Sequence, residues 1–340
     1  MFLNHISALT IILVLLSLSH SLFHSFFPLE IDNVSANDSR SQLKVCMILW
    51  RGETNAEKGF KEELSRLVAN TRTLQFDTFN CEQKVDNLVT YIRNDLTKKI
   101  SSCNYIYTYG TTVSTKIQEA LKLLSGSTSG STDKIKVKQL VIIVTDPVSA
   151  GLTKSMSDSG PNMFISSNTV PISLQIEKAR QVVPFKKLAI LFNSKELNSN
   201  FVKNEVDKIK AKFSFETMEL RLKPEESYLK DILKNLKEGN PKADAVFIPP
   251  DSFITSKSAM IIEELNSAKI PIITAVEEMI TKGALMGTVA SYSLLGELLA
   301  KAVKKDLDGH TTSPNPVLKD EGASLKVNAD TAKLFGIKYP

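Results

Sequence analysis

The chain has 340 residues, enough for about two domains of roughly 150 residues, each with a sizeable core. Apolar residues make up 42% and charged residues 23%, which is ordinary globular usage and excludes wholesale disorder. The net charge of +5, without any block of Lys or Arg, is too small to indicate a nucleic-acid partner. Four His and three Cys are too few for a multi-His metal site, paired CxxC zinc motifs or a disulfide scaffold.

The amino terminus carries an uncharged apolar run at residues 6–18, whose length fits the core of a secretory signal. Residues 34–36 (VSA) are small, as a cleavage site requires. The first five residues contain no Lys or Arg, however, and a second apolar patch follows at 22–29. An uncleaved membrane anchor is therefore the alternative. In both cases we expect export, with residues 1–36 as the signal peptide or anchor.

From residue 44 the chain alternates strand-like and helix-like patterns. Strands are predicted where apolar residues run continuously or alternate with polar ones: 45–50, 73–79, 105–109 and 140–144. Between them, amphipathic helices are predicted at 55–70, 84–97 and from Gly110 to residue 124. This order indicates a parallel sheet with helices on both faces. The Ser- and Gly-rich segment 125–132 is predicted to be a flexible surface loop.

A second series of the same kind begins near residue 170. Its predicted helices are 174–183, 198–213, 225–236 and 254–268, and its predicted strands are 187–192, 217–222, 245–248 and 271–274. Two similar open α/β lobes in one exported chain indicate a binding protein with a cleft. In such sheets ligands bind beyond the carboxyl ends of the strands.

Five short segments resemble the ABC-transporter substrate-binding family that includes the tryptophan-binding lipoproteins. Residues 144–152 (VTDPVSAGL) resemble its TDPV-x-AGL segment, and 191–199 (LFNSKELNS) resemble its YN-x-SE-x-NS turn. Residues 243–251 (ADAVFIPPD) are similar to DAIYVPTDN. Residues 283–296, with Gly283-Ala-Leu, Tyr292 and Gly296, are similar to GALA…YYELG. The last segment, 327–337, resembles NLKAAKKLGI, so the similarity runs in order from about residue 42 to 340.

The resemblance implies a type I periplasmic-binding fold, an α/β architecture of two doubly wound parallel-sheet lobes joined by three crossovers. By this analogy lobe one comprises 42–164 and 289–311, and lobe two comprises 165–288 and 312–340. It also implies the solute-binding component of an ABC importer, located in the periplasm or on the extracytoplasmic membrane face. Such a monomer would deliver a small polar or amino-acid-like ligand to an ABC permease in the cytoplasmic membrane. It would use no cofactor, catalyse no reaction and bind no nucleic acid.

Three loops depart from the family pattern. The family's HPALD after the first strand is WRGET at residues 50–54, and its NVTGVS crossover is NMFISS at 162–167. Its SDE is AVE at 275–277, which retains only the Glu. The resemblance therefore implies the fold and leaves the identity of the ligand open.

Candidate ligand contacts in lobe one lie where strands end. Trp50 could stack on a ligand, and Arg51 could hold a carboxylate with two hydrogen bonds. Thr111 could cap the following helix and leave its backbone N–H groups for an anion. Asp146 could bind a ligand ammonium group beside the hydroxyl of Thr145. The alternatives are core packing for Trp50, a solvated ion pair for Arg51, and capping of a helix or turn for the others.

Candidate contacts in lobe two lie in the corresponding loops. Asn193 and Glu196 follow one predicted strand, Asp251 follows the next, and Glu277 is the remaining carboxylate of the AVE segment. The alternative for all four residues is helix capping, for which Asn and Asp are favoured.

The cysteines and the rival functions complete the predictions. Cys46 is predicted to be an inert core thiol, while Cys81 and Cys103 could form a disulfide in an oxidising compartment. The first rival is a membrane-anchored sensor ectodomain of the same fold. The second is an exported α/β hydrolase, which the shortage of His and the absence of a G-x-S-x-G motif disfavour.

Overall fold

The structure contains two six-stranded sheets, and the first consists of the strands of lobe one. The computed structural model describes residues 42–126, 137–310 and 314–339. Numbered along the chain, these strands are β1 (Gln42–Leu49), β2 (Thr73–Asn80), β3 (Tyr105–Tyr109), β4 (Lys138–Ile142), β5 (Met163–Ser167) and β11 (Leu318–Lys319). Their order across the sheet is β11-β5-β4-β3-β1-β2, and the pairs β1–β3, β3–β4, β4–β5 and β5–β11 are parallel. Parallel pairing brings the carboxyl ends of these strands to one edge.

The second sheet is built in the same way. Its strands are β6 (Lys187–Asn193), β7 (Glu216–Leu222), β8 (Ala245–Ile248), β9 (Ile272–Thr274), β10 (Met286–Val289) and β12 (Ser324–Val327). They lie in the order β12-β10-β9-β8-β6-β7, in which β12 is antiparallel to β10 and the other pairings are parallel.

Both sheets are covered on both faces, as their apolar strands require. Along β6, Leu188, Ile190 and Phe192 pack into one core cluster, whereas Ala189 and Leu191 pack into another. Successive side chains of a strand point to opposite faces, so an apolar run at every position indicates two buried faces. This confirms the predicted α/β class.

The covering helices follow the predicted alternation. In lobe one they are α1 (Asn55–Val68), α2 (Val85–Tyr91), α3 (Thr111–Gly126) and α10 (Tyr292–Leu307). Short helical turns at Ile92–Leu96, Thr97–Lys99 and Ile100–Ser102 prolong α2. In lobe two they are α4 (Ile172–Val182), α5 (Leu197–Ile209), α6 (Glu226–Lys237), α7 (Ser252–Ser256), α8 (Ser258–Ser267), α9 (Glu277–Thr281) and α11 (Ala329–Phe335).

Three crossovers join the lobes, as the resemblance implies. The chain passes from β5 to α4 through residues 168–171, from β10 to α10 through 290–291, and from β11 to β12 through 320–323. Asp320, which is buried, ties the last two together: one carboxylate oxygen accepts a hydrogen bond from the Ser291 backbone N–H (2.7 Å). The other oxygen accepts one from the Gly322 N–H (2.8 Å).

The sheets place two of the expected lobe boundaries differently. Residues 165–167 complete β5 in the first sheet, because the chain crosses only after this strand is fully paired. The tail does not join lobe two at residue 312, since Leu318–Lys319 forms β11 at the edge of the first sheet. The remaining boundaries stay predictions.

A close helix contact fixes the position of α10, the helix that returns to lobe one. A Cβ atom on Gly296 would lie 2.1 Å from the carbonyl oxygen of Ala56 in α1, and one on Gly59 would lie 2.4 Å from that of Ser293. Neither position has room for a methyl group, so the two backbones touch. The first residue of α10, Tyr292, is thereby placed beside the loop that follows β1.

Two predictions fall partly or wholly outside the described residues. The signal or anchor segment 1–36 lies outside them, as do residues 127–132 of the predicted loop. Residues 125 and 126 belong to α3, because this helix runs two residues further than its apolar pattern suggests. Across the described ranges, we find no helix with the length and apolar character needed to cross a membrane.

The cysteine predictions were wrong. Cys46 on β1 forms a disulfide with Cys103, which lies two residues before β3, and Cys81 is the buried free thiol. Pairing of β1 with β3 places Cys46 opposite Ile106, and the Cα atoms of Cys46 and Cys103 lie 5.9 Å apart. This distance is normal for a disulfide. The sequence shows only that the two cysteines are 57 residues apart.

We expect the double variant Cys46→Ala, Cys103→Ala to lose about 2–4 kcal/mol of unfolding free energy, because the disulfide no longer restricts the unfolded chain. For a chain of this size the melting temperature should fall by about 5–15 °C, measurable by calorimetry. Reductant should lower the Tm of the wild type and of Cys81→Ala, but not that of the double variant. Alkylation of denatured, unreduced wild type that modifies three thiols instead of one would contradict the pairing.

Candidate ligand-binding cleft between the two lobes

A cleft of about 460 Å³ lies between the loop after β1 and the helix after β9. It lies at the carboxyl ends of strands, where open α/β sheets bind ligands. Lobe one contributes one wall and lobe two the other. The lining residues are Arg51, Gly52, Glu53, Thr54, Asn55, Lys58, Glu277, Glu278, Thr281 and Tyr292.

A capping box holds the lobe-one loop in place. The Glu57 carboxylate accepts a hydrogen bond from the Thr54 backbone N–H (2.7 Å), and the Thr54 hydroxyl accepts one from the Ala56 N–H (3.2 Å). This reciprocal arrangement satisfies N–H groups that the first turn of α1 leaves free. The turn between β1 and α1 therefore has a defined shape, and Arg51 lies within it.

Arg51 is a cationic residue of the cleft whose side chain is held in place by its neighbours. Its guanidinium donates to the Tyr109 hydroxyl (3.0 Å), lies 5.6 Å from the centre of the Tyr109 ring, and is 3.2 Å from a Glu278 carboxylate oxygen. The Nε–H group is buried and has no hydrogen-bond partner among the described residues. A buried donor without a partner is costly, so Arg51 keeps a donor that the described residues do not use.

Glu277 faces Arg51 from the other wall. Its carboxylate forms an ion pair with Lys326 and lies 3.5 Å from the backbone nitrogen of Tyr292. Arg51 and Glu277 are thus the two predicted site residues that line this cavity.

Trp50 lies in the core of lobe one. It is 9% exposed and belongs to the same apolar cluster as β1, so packing accounts for its position better than stacking on a ligand. Its indole N–H is buried without a partner in the described part of the chain.

Thr111 is not the cap of α3. The first helical hydrogen bond runs from the Ser114 N–H to the Gly110 carbonyl (3.1 Å), so Gly110 is the cap and Thr111 the first helical residue. Gly110 has φ +84°, a conformation that other residues adopt only with strain. The sequence prediction was therefore displaced by one residue.

Thr145 and Asp146 follow β4 in a tightly bonded turn. The Asp146 carboxylate accepts hydrogen bonds from the N–H groups of Val148 (3.2 Å) and Ser149 (3.0 Å), which is the turn-capping alternative. The Thr145 hydroxyl bonds to the Asn168 side-chain oxygen (3.3 Å). Ile143, just before them, has φ +55°, which is strained for a β-branched residue and redirects the chain at the end of β4.

In lobe two, Asn193, Glu196 and Asp251 each support a turn. The Asn193 side chain accepts a hydrogen bond from the Lys195 N–H (3.0 Å), and Glu196 accepts one from the Ser252 N–H (3.1 Å). Asp251 caps α7 by accepting from the Ile254 N–H (2.8 Å). Only the Asp251 contact matches the helix-capping alternative, since Asn193 bonds within a turn and Glu196 makes no side-chain capping bond to α5. None of the three residues lines the cleft of about 460 Å³.

The buried Asp251 and the half-buried Glu196 form a pair of carboxyl groups with unusual titration. Burial, followed by the charge of Glu196, raises the pKa of Asp251 to about 8. Burial also raises the pKa of Glu196, against the hydrogen bonds that it accepts at Ser252. Two like charges in a dry site disfavour double ionisation, so the folded protein retains a proton there well above the ordinary range.

Sequence reasoning missed four residues in or near the cleft. Tyr109 ends β3 and carries the hydroxyl that orients Arg51, and Glu278 contacts Arg51 from lobe two. Tyr292 lines the cleft, and Asn168 lies in the first crossover. Tyr109 could have been found as an aromatic residue ending a buried strand, and Tyr292 through its place in the family motif. Nothing in the sequence distinguishes Glu278 from Glu277.

Comparison with known proteins places the chain in a family. A model of the family described as "ABC transporter substrate binding protein" matches residues 51–340. The chain belongs to this family. Its members bind solutes and are not enzymes, which confirms the prediction of a non-enzymatic function.

A curated relative in this family is a tyrosine-binding protein of Clostridioides difficile (strain R20291). It is 27% identical over 200 residues, and the match spans 58% of this chain and 57% of the relative. The alignment thus covers just over half of the relative's length.

Solved structures confirm the type I periplasmic-binding fold. An ABC domain from Streptococcus pneumonia in complex with L-Trp superposes with a TM-score of 0.75 at 20% identity, covering 88% of this chain and 96% of that one. A ligand-free, open substrate-binding protein with adhesive properties from Clostridium difficile gives a TM-score of 0.64, with the same identity and coverage.

We expect Asp251→Asn to flatten the pH dependence of stability between about pH 5 and 8. The pKa of Asp251 is higher in the folded than in the unfolded state, so ionisation opposes folding and stability falls as pH rises through this window. Asn keeps an oxygen for the cap but has no proton to lose. Melting temperatures measured at intervals of half a pH unit would show the change in slope.

The control is Asp244→Asn at an exposed carboxylate. Hydrogen bonds from the backbone N–H groups of Lys187 and Lys186 lower the pKa of Asp244, so this residue is already ionised throughout the window. The control should shift every melting temperature equally. An unchanged slope in Asp251→Asn would contradict the retained proton.

Proposed function

We propose that the protein is the extracytoplasmic solute-binding component of an ABC importer, and that it binds a small amino-acid-like ligand in the cleft between the lobes. The observation that carries this proposal is Arg51, whose guanidinium is held by Tyr109 at the wall of an open cavity. Family membership supports the general role.

The charges of the cleft favour a zwitterion. Arg51 and Lys58 lie on the lobe-one wall, whereas Glu277 lies on the lobe-two wall. A guanidinium matches the geometry of a carboxylate, and carboxylates bind ammonium groups through charge-assisted hydrogen bonds. An amino acid lying across the cleft would satisfy both walls. It would also favour closure of the lobes, because each wall belongs to a different lobe.

The names of two relatives support the same ligand class. One relative is a tyrosine-binding protein, and one solved structure of the same fold contains L-Trp. In this chain Tyr292 could provide an aromatic surface for a side chain in the cleft.

The other predicted residues take supporting roles in this proposal. Those at strand ends shape the loops around the cleft and could contact a ligand once the lobes close: Thr111, Thr145, Asp146, Asn193, Glu196 and Asp251. Trp50 would support Arg51 from the core, while Arg51 and Glu277 would contact the ligand directly.

We expect a bound amino acid to raise the melting temperature by about 5–10 °C at roughly 100 times Kd, since such occupancy adds about 2.7 kcal/mol. A thermal screen of the twenty amino acids would identify it. Arg51→Gln should abolish the shift. Arg66→Gln should retain it, because Arg66 pairs with Glu63 on the surface of α1. A full shift in Arg51→Gln would contradict the assignment of the cleft.

The expected location is also testable. A reporter fused after residue 40 should be active only if that reporter works outside the cytoplasm, because the apolar run 6–18 precedes the binding domain. Activity of a cytoplasm-only reporter would contradict export. A purified protein that begins near residue 37 would argue against the anchored sensor alternative.

A further inference from the structure

Arg51 and Glu278 form an ion pair that crosses the cleft. Arg51 follows β1 in lobe one, and Glu278 lies on α9 in lobe two. The closest atoms, Nη1 and Oε2, are 3.2 Å apart. Both residues line the cavity of about 460 Å³ that we propose as the ligand site. A carboxylate of the protein itself thus contacts the group best suited to hold a ligand's carboxylate.

The geometry of the ion pair allows Glu278 to separate from Arg51. It is a single ion pair rather than the two parallel hydrogen bonds that a carboxylate can make with a guanidinium. The other oxygen of Glu278 contacts Lys282, one turn along the same helix, at 2.6 Å. The Glu278 side chain is 39% exposed. If it left Arg51, its charge would keep both a partner and solvent, so the cost of release would be small.

Arg51, in contrast, cannot follow Glu278. Its side chain is 17% exposed, and the hydrogen bond to the Tyr109 hydroxyl and the contact with the Tyr109 ring hold it to lobe one. Its Nε–H has no acceptor in the described part of the chain. A guanidinium carries five N–H donors, and Glu278 contacts it at one edge only. Donor capacity therefore remains for an incoming carboxylate.

We infer that Glu278 is an internal substitute for the carboxylate of the ligand: it occupies Arg51 while the cleft is empty and is replaced when the ligand binds. This inference rests on the proposed function and makes it more specific, because the ligand must then carry a free carboxylate. Arg51 selects that group, and Glu278 sets how strongly the ligand must compete for it.

The expected change in ligand affinity follows from competition between Glu278 and the ligand's carboxylate for Arg51. A ligand that can bind only when Glu278 is displaced has its affinity reduced by the fraction of molecules in which Arg51 is free. Partly exposed ion pairs contribute up to about 1 kcal/mol, so removing the competitor should tighten binding by about two- to sixfold. The gain should vanish for a ligand that does not use Arg51.

The test is calorimetric titration of the purified protein with L-tyrosine, L-tryptophan and the amide of each. The variants are Glu278→Gln, Glu278→Ala and Arg51→Gln. The control is Glu263→Gln, at an exposed residue of α8 outside the cleft. For wild type, an amide should bind at least tenfold more weakly than its acid. Both Glu278 variants should bind the acid about two- to sixfold more tightly. Arg51→Gln should lose most of the affinity for the acid, so that acid and amide bind almost equally weakly.

A second measurement needs no ligand. In the empty protein the melting temperatures of Arg51→Gln, Glu278→Gln and the double variant form a thermodynamic cycle. The double variant should lose less than the sum of the two single losses, because either change alone already breaks the ion pair. Strictly additive losses would overturn the inference.

The two measurements separate the inference from the proposed function. If the acids bind wild type but Glu278→Gln and Glu278→Ala bind no more tightly, the inference is overturned and the proposed function stands. The same holds if acid and amide bind wild type equally. If neither acid nor any other amino acid binds, the proposed function fails. The role of Glu278 as a substitute for the ligand's carboxylate then fails too, even if the thermodynamic cycle shows that Arg51 and Glu278 interact.

Discussion

The parallel pairing of strands that are buried on both faces is the constraint on which this protein depends. In lobe one, pairing of β1, β3, β4 and β5 in parallel brings their carboxyl ends to one edge. Covering helices occupy both faces, so polar side chains that do not belong in a core collect in the loops at the strand ends. Arg51 is one of them, and Tyr109 meets it only because β1 and β3 are neighbours.

The crossovers turn two such edges into one cleft. The returning helix α10 packs against α1 at Gly296 and Gly59 so closely that side chains are excluded, and this contact sets Tyr292 between the lobes. Asp320 joins two crossovers through its bond to the Ser291 N–H. A hinge motion of the lobes would therefore take place at a few hydrogen-bonded crossover residues, while the contact between α1 and α10 within lobe one is preserved.

Most polar residues at the strand ends serve the loops rather than an open cavity. Asp146, Asn193 and Asp251 each accept backbone N–H bonds that stabilise the turns following the strands. Arg51 differs because its side chain has a fixed position and lines the cleft. A polar side chain that both follows a strand and lines the cavity is therefore a better indication of a ligand site than polarity at a strand end alone.

The sequence by itself determined the class, the order of the elements and the family. Strands buried on both faces, such as β1 and β6, require continuous apolar runs, and a helix with one buried face, such as α1, requires an apolar stripe at helical spacing. It also brought Arg51 and Glu277 forward as residues at strand ends. It could not determine that Cys46 pairs with Cys103, that β11 returns to the first sheet, or that Glu278 rather than Glu277 reaches Arg51. Only the tertiary structure decided these contacts, since each depends on the distance between segments that are far apart in the chain and leaves no periodic pattern in either.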